Sequence, residues 1–294
     1  MQGKIIKAEN GKFTIYYDNK LINAIARGKL KVGGVYVGDN VNFDYLPNGM
    51  GDYVIEGVEN RKNILKRPVI SNIDNCIIVI AKTPETDFYL IDKIIINCLI
   101  NNIVPFICLN KSDLITDSEI EVIRNEYGGV VSDVIITNAL IESDEGIKNL
   151  YKILASGTVN IMAGQSAVGK SSILNAIIGK NVAKIGELSQ KNEHGMHTTR
   201  TSQMYLLENS AMLADTPGFS LLELNKDLRP ENIRLYYADF EKSAANCRFR
   251  TCTHTVESDC AVLDAVKNGV INSNRYERYK KLYLEKKENW ENRW

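Results

Sequence analysis

Gly164-Gln165-Ser166-Ala167-Val168-Gly169-Lys170-Ser171 follows the apolar run Val159-Asn160-Ile161-Met162-Ala163 and opens a segment with helical periodicity. A glycine-bearing loop between a buried strand and a helix is the phosphate loop of a nucleotide-binding α/β domain. Its backbone amides and helix N-terminus face a β-phosphate, its lysine spans the β and γ groups, and its serine hydroxyl reaches Mg²⁺. Two further motifs flank it. Asn110-Lys111-Ser112-Asp113 lies upstream, after Phe106-Ile107-Cys108-Leu109, and Asp215-Thr216-Pro217-Gly218 lies downstream, after Met212-Leu213-Ala214. An ordinary guanine-nucleotide switch has the phosphate loop first and the base-reading tetrad late. The order here is rotated, so the phosphate-sensing segment runs directly into whatever follows it.

Each position has a chemical reason. Asp113 can only accept hydrogen bonds, and the Watson–Crick edge of guanine offers it two donors, which adenine does not. Asn110 would tie the loop together and meet the imidazole edge of the base, while the Lys111 stem packs on its face and Ser112 completes the turn. Thr137-Asn138-Ala139 is placed like the short loop whose Ala amide meets the guanine carbonyl. In the phosphate loop, Gly164 to Ser172 would surround the phosphates, with Lys170 supplying charge and Ser171 ligating Mg²⁺. Ala167 stands where glycine is usual, and a positive φ there would cost about 1 to 2 kcal/mol. Asp215 would hold Mg²⁺ through water, the Gly218 amide would bond the γ-phosphate, and either Thr198 or Thr199 would complete the metal shell. Phe219 occupies the position where many GTPases carry a water-orienting Gln, so hydrolysis would need another group, such as His197 or His194, or a partner.

Around this switch the chain changes pattern twice. Residues 1–67 carry five short alternating segments, Lys4–Ala8, Phe13–Tyr16, Ile22–Ala26, Val41–Phe43 and Tyr53–Val58, punctuated by Asn-Gly and Gly-Gly; this predicts a small barrel of the OB type. Arg61, Lys62, Lys66, Arg67 and Pro68 read as a basic linker. Residues 68–222 alternate apolar runs with helix-length spacers, the pattern of a doubly wound α/β domain. Residues 223–294 read as helices only.

Composition sets the limits. A chain of 294 residues, 44% hydrophobic and 24% charged, can bury a large core. No apolar run approaches the roughly 20 residues of a membrane span, and no export signal opens the chain. Lys and Arg outnumber Asp and Glu by 11 to 7 in residues 1–67 and 14 to 12 in 223–294, against 11 to 17 between them. Basic flanks suit a polyanionic partner.

Cys76, Cys98 and Cys108 sit in apolar runs and read as buried hydrophobes. Cys247, Cys252, His254 and Cys260 are different: three thiolates and an imidazole within fourteen residues favour a closed tetrahedral Zn²⁺ site, structural because no position remains for water. Near the end, Tyr276, Tyr279 and Tyr283 share a helical stripe. It packs on its own domain or, with Lys280, Lys281, Lys286 and Lys287, faces RNA.

Taken together, the rotated motif order, His197-Thr198-Thr199, Asp215-Thr216-Pro217-Gly218-Phe219, the leading barrel and the Cys-x4-Cys-x-His-x5-Cys spacing resemble the ribosome small-subunit-dependent GTPase A family (RsgA) over essentially the whole chain. The resemblance implies a circularly permuted GTPase domain flanked by an OB-fold barrel and a zinc-binding helical domain. It also implies a cytoplasmic, monomeric GTPase that binds GTP and GDP and acts in late 30S maturation, with activity stimulated by the subunit and 16S rRNA contacted by the flanks. Cys247, Cys252, His254 and Cys260 would be the zinc ligands, and His197 a hydrolytic residue. Ala167 departs from the family pattern. A relative serving the large subunit, or a nucleotide-gated binder with negligible turnover, would use the same switch.

Overall fold

The structure, a computed structural model, describes residues 1–28, 30, 34–46, 53–66, 69–181, 204–215 and 224–292. Its first element is a closed five-stranded barrel: β1 (Gln2–Glu9), β2 (Lys12–Tyr17), β3 (Lys20–Ala26), β4 (Asn40–Tyr45) and β5 (Tyr53–Val58) in the order β1-β2-β3-β5-β4. β3 and β5 run parallel, and β4 returns to β1 to close the ring. Alternation along the strands directs Ile5, Ile15, Ala24, Val41, Phe43 and Ile55 into the barrel, which matches the expected OB-like pattern.

The basic stretch after the barrel is not a free linker. β6 (Ile64–Lys66) pairs antiparallel with β7 (Val69–Ser71). Arg61 donates from Nε to the wholly buried Asp39 at 2.6 Å, and the Ser71 hydroxyl donates to the same carboxylate. A buried carboxylate demands such partners, so Arg61 is recruited from the surface to satisfy Asp39. Arg67 and Pro68 lie outside the described residues.

The central sheet is β10 (Val134–Ile136), β9 (Val104–Asn110), β8 (Asn75–Ala81), β11 (Val159–Ala163), β13 (Met212–Asp215) and β12 (Met204–Leu206), in that spatial order. All neighbours are parallel except β12 against β13. β8 shows why its apolar run is continuous. Cys76, Ile78 and Ile80 pack on one face with α1 (Phe88–Ile100) and α2 (Asp117–Tyr127), while Ile77, Val79 and Ala81 pack on the other with α3 (Glu145–Ile153) and α4 (Lys170–Asn181). A strand covered on both faces needs no polar alternation. The strand order reverses direction between β8 and β11, so the crevice at their carboxyl ends is the expected ligand position of a doubly wound sheet.

α1 is covered twice. Ile91, Ile94, Ile95 and Cys98 face the sheet, while Ile96 joins the core of the C-terminal helices. That core gathers Ile233, Tyr237, Phe240 and Val262 with residues of α5 (Ala261–Lys267) and α6 (Ser273–Glu291). Tyr276 and Tyr279 of α6 are buried in it, Tyr279 lying edge-on to Tyr237 and Phe240 at 5.0 and 4.9 Å. The tyrosine stripe therefore faces inward, and Lys286 is buried with it, donating to the Asn225 carbonyl at 2.7 Å. Among the described residues no helix is long and apolar enough to cross a membrane.

Candidate functional site

The loops after β9, β10 and β11 converge at the carboxyl edge of the sheet. In the loop after β11, Gly164 has φ +126° and Gly169 φ +98°. A Cβ on Gly164 would stand 2.2 Å from the Val79 carbonyl oxygen, and one on Gly169 would stand 2.2 Å from Asn110 Nδ2, so both positions require glycine. Ala167 adopts φ +63°, the left-handed conformation that a Cβ disfavours by about 1 to 2 kcal/mol. Val168 anchors the turn by full burial in the core beneath α4. Ser166 and Ala167 are exposed at its tip, and Ser171 is exposed and Ser172 half-buried in the first turn of α4. The Lys170 ammonium lies across the mouth of the loop, donating to the Gly164 carbonyl at 2.9 Å and the Gln165 carbonyl at 2.5 Å.

The base tetrad is fastened to this loop. Asn110, nearly fully buried, donates from Nδ2 to the Val168 carbonyl at 3.0 Å. Its Oδ1 accepts from the Thr137 hydroxyl and the Ala139 amide, both at 3.2 Å, which brings the Thr137-Asn138-Ala139 turn into the same knot. Lys111 is left-handed at φ +58°, and its ammonium donates to the Thr83 and Ala167 carbonyls at 2.7 and 2.8 Å. Asp113 is exposed in a 3₁₀ turn, Ser112–Leu114, with one carboxylate oxygen held by Asn138 Nδ2 at 2.8 Å. The Asn138 amide thus orients the carboxylate that faces outward. Burial pushes the Cys108 thiol, beside Thr137, up to about 12, so it stays protonated and inert.

Gln165 does something the sequence does not announce. Its Oε1 accepts from the Asp87 amide at 2.8 Å and its Nε2 donates to the Glu85 carbonyl at 3.3 Å. Asp87 caps α1, accepting from the Leu90 amide. The segment between β8 and α1 is thereby clamped by the phosphate loop through Gln165 and by the base loop through Lys111. These grips fall on backbone groups of Thr83, Glu85 and Asp87, which carry no residue-type signal. The sequence-predicted His194, His197, Thr198, Thr199, Gly218 and Phe219 lie outside the described residues, as does the side chain of Asp215, whose backbone ends β13.

A second cluster lies in the C-terminal helices. One ligand atom from each of Cys247, Cys252, His254 and Cys260 falls within 4.8 Å of the other three. The Cys247 and Cys260 sulfurs are 3.9 Å apart, and His254 Nδ1 is 3.6 and 3.4 Å from them. Corners of a tetrahedron with metal–sulfur bonds of about 2.3 Å are about 3.8 Å apart, so the four fit a zinc site. Burial raises the Cys252 thiol to about 12 and raises Cys260 as well, while burial and Arg234 lower His254. Buried thiols of this kind become thiolates only around a cation, and a neutral imidazole is the form that binds one. His254 is itself left-handed at φ +58°. Its turn is clamped by Glu257, which burial would raise but which hydrogen bonds from the Thr253 hydroxyl and the Thr253 and Thr255 amides hold at about 2.

The sequence pattern of the RsgA GTPase family matches residues 58–225. The "Small ribosomal subunit biogenesis GTPase RsgA" of Clostridium botulinum is 36% identical over the whole of both chains. The protein of that name from Thermotoga neapolitana is 38% identical, covering 88% of this chain and 87% of its own. Among solved structures, YjeQ from Thermotoga maritima superposes with a TM-score of 0.81 at 33% identity, covering 97% of each chain. YloQ, described as a circularly permuted GTPase, gives 0.77 at 28% identity over 98% of this chain and 95% of that one. Likeness that runs through barrel, sheet and metal cluster alike, over full lengths, settles the assignment: the chain belongs to the RsgA GTPase family.

Proposed function

We propose that this GTPase binds the small (30S) ribosomal subunit and assists its late maturation, hydrolysing GTP to GDP and phosphate fastest when the subunit is bound. The observation that carries the reading is the fastening of Asn110 to Val168 and Ala139, which gathers base loop and phosphate loop into one site in rotated order. The names of the full-length relatives supply the partner. Guanine is read by Asp113, oriented by Asn138, with Asn110, Lys111, Ser112 and the Ala139 amide around the base. Phosphates lie against Gly164 to Ser172 and the Gly218 amide. Ser171, Asp215 and one of Thr198 and Thr199 would hold Mg²⁺, which when bound supplies positive charge to the β and γ oxygens. Lys170 adds its own charge there, and His197 orients the water that Phe219 cannot.

The chain divides on this reading into a barrel, residues 1–67, a permuted GTPase domain, 68–222, and a helical domain with structural zinc, 223–294. The flanking parts contact 16S rRNA, and the protein works in the cytoplasm as a monomer. GTP turnover measured alone, with 30S and with 50S subunits tests the proposal. Stimulation by 30S alone is expected. Stimulation by 50S would move the protein to the large subunit, and none with either would leave a nucleotide-gated binder.

A further inference from the structure

Phe249 is the one phenylalanine exposed among the described residues, at 46% of its surface, although the aromatic core of the C-terminal helices lies close by in sequence. It sits on the turn between the metal-cluster residues Cys247 and Cys252. The turn is pinned at two points: the Cys252 amide donates back to the Phe249 carbonyl at 3.1 Å, and the Arg248 amide donates to the Asp259 carbonyl at 3.4 Å. A ring this exposed gains nothing from the hydrophobic effect where it stands, so a partner that covers it would.

Arginines flank the ring in the chain. The Arg248 guanidinium lies 5.4 Å from the ring centroid, and Arg250, the next residue along, is exposed with no acidic partner among the described residues. Arg234 donates to the Arg250 carbonyl at 3.3 Å and so adds a third guanidinium behind the turn. Asp259 pairs with Arg248 at 2.9 Å, with both side chains 64% exposed. Exposed pairs of this kind exchange partners at little cost. Guanidinium forks match phosphate oxygens, and a phenyl face accepts any base. One ring flanked by cations can take one base, and a base can be stacked this way only where it is unpaired, in a loop or bulge.

We propose that the Cys247–Cys252 turn is an RNA-docking element, with Phe249 stacking on a single unpaired base and Arg248 and Arg250 holding the phosphates beside it. The inference rests on the small-subunit reading above, narrows it to one contact, and names single-stranded rather than duplex RNA as the chemistry recognised.

The test uses the full-length protein, with zinc content and GTP binding as controls for folding. Fluorescence anisotropy with a labelled twelve-nucleotide single strand and a duplex of the same length should show preference for the single strand. Phe249→Ala should weaken binding to it by about 5- to 150-fold, the range of base–aromatic stacking, and Phe249→Trp should restore it. Arg250→Gln should lower the salt dependence by about one ion. Co-sedimentation with 30S subunits, run in parallel, should follow the same order of variants. Equal affinity of wild type and Phe249→Ala for the single strand would overturn the proposal, as would absence of saturable binding by wild type. Loss of 30S affinity in Phe249→Ala without any binding of the RNA probe would place Phe249 against a ribosomal protein instead. Failure of the wild-type chain to bind 30S at all, with single-strand binding intact, would sink the small-subunit reading and leave the docking element standing.

Discussion

Asp92 and Arg275 pair at 2.7 Å with 1% and 2% of their side chains exposed, joining the helix after β8 to the final helix of the chain. The same carboxylate accepts from the Tyr127 hydroxyl at 3.0 Å and from Arg278 Nε at 2.7 Å, while Arg275 also reaches Asp239 at 3.1 Å. Arg278 continues to Glu126. The helices around the cysteine–histidine cluster are thus fixed to α1, whose N-cap Asp87 is in turn held by Gln165 of the loop after β11. Among the described residues, one line of contact between the loop after β11 and the C-terminal helices runs through a helix packed on two sides and a carboxylate with three hydrogen-bonding partners.

A buried charge network is costly to break from one side. Asp92→Ala should destabilise the protein by about 3 to 5 kcal/mol, because Arg275 keeps its charge and loses its main partner. Replacing both, as Asp92→Leu with Arg275→Met, should cost less than the two single changes together. Urea unfolding of Asp92→Ala, of the singles Asp92→Leu and Arg275→Met, and of the double variant measures this. A loss in Asp92→Ala of less than about 1 kcal/mol, the worth of an exposed pair, would mean the network is hydrated in solution.

Specificity at the base should depend on Asp113 and, more weakly, on the residue that aims it. Asp113→Asn should lose GTP and gain xanthosine triphosphate, whose extra ring carbonyl can accept from the new amide. Asn138→Ala removes the 2.8 Å bond to Asp113 and should weaken GTP binding by about 2- to 10-fold without changing base preference. Competition binding with both nucleotides separates the two effects. An unchanged preference in Asp113→Asn would remove that carboxylate from the site.

What the sequence made legible follows from where the constraint lay. Glycines at 164 and 169, the Asn-Lys-Ser-Asp tetrad and the cysteine spacing are dictated by local chemistry, so their letters alone carry them. Strands such as β9 were readable because burial on both faces from residue 105 to 109 leaves only apolar residues there. Arg61 read as part of a basic linker because its partner, Asp39, is distant in sequence and gives no local sign of being buried. For the same reason the tyrosines of the final helix left two orientations open; only the packing of Tyr237 and Phe240 against Tyr279 decides between them. The grips of Gln165 and Lys111 on backbone carbonyls and amides were invisible, since any residue supplies those groups.

Ala167 offers a test of strain in the phosphate loop. At φ +63° its Cβ costs about 1 to 2 kcal/mol, while glycine would add about 0.4 to 1 kcal/mol of unfolded-state entropy. Ala167→Gly should therefore stabilise the protein, by up to about 1.6 kcal/mol, read as a rise in the thermal midpoint without nucleotide. A fall in the midpoint would mean that this Cβ makes a contact worth more than the strain.

Metal removal should act on one part of the molecule first. The sheet and barrel cores contain none of the four cluster residues, whereas Cys252 and Cys260 lie inside the core that joins α5, α6 and Ile96 of α1. Without a cation, the buried thiols of Cys252 and Cys260, the half-buried thiol of Cys247 and a neutral imidazole contribute only weak hydrogen bonds. With zinc they contribute binding free energy on the order of 10 kcal/mol, all of it linked to folding. Purified protein should contain one equivalent of zinc, and Cys252→Ser should lose it. Hydrogen exchange in that variant should rise across residues 224–292 while protection in β8, β9 and β11 and binding of GTP persist. Since α1 is packed on both sides, its face toward the C-terminal helices, around the buried Ile96, should show intermediate protection. Protein purified without chelator that carries no metal, or Cys252→Ser with unchanged exchange in 224–292, would show that the cluster does not hold this region together.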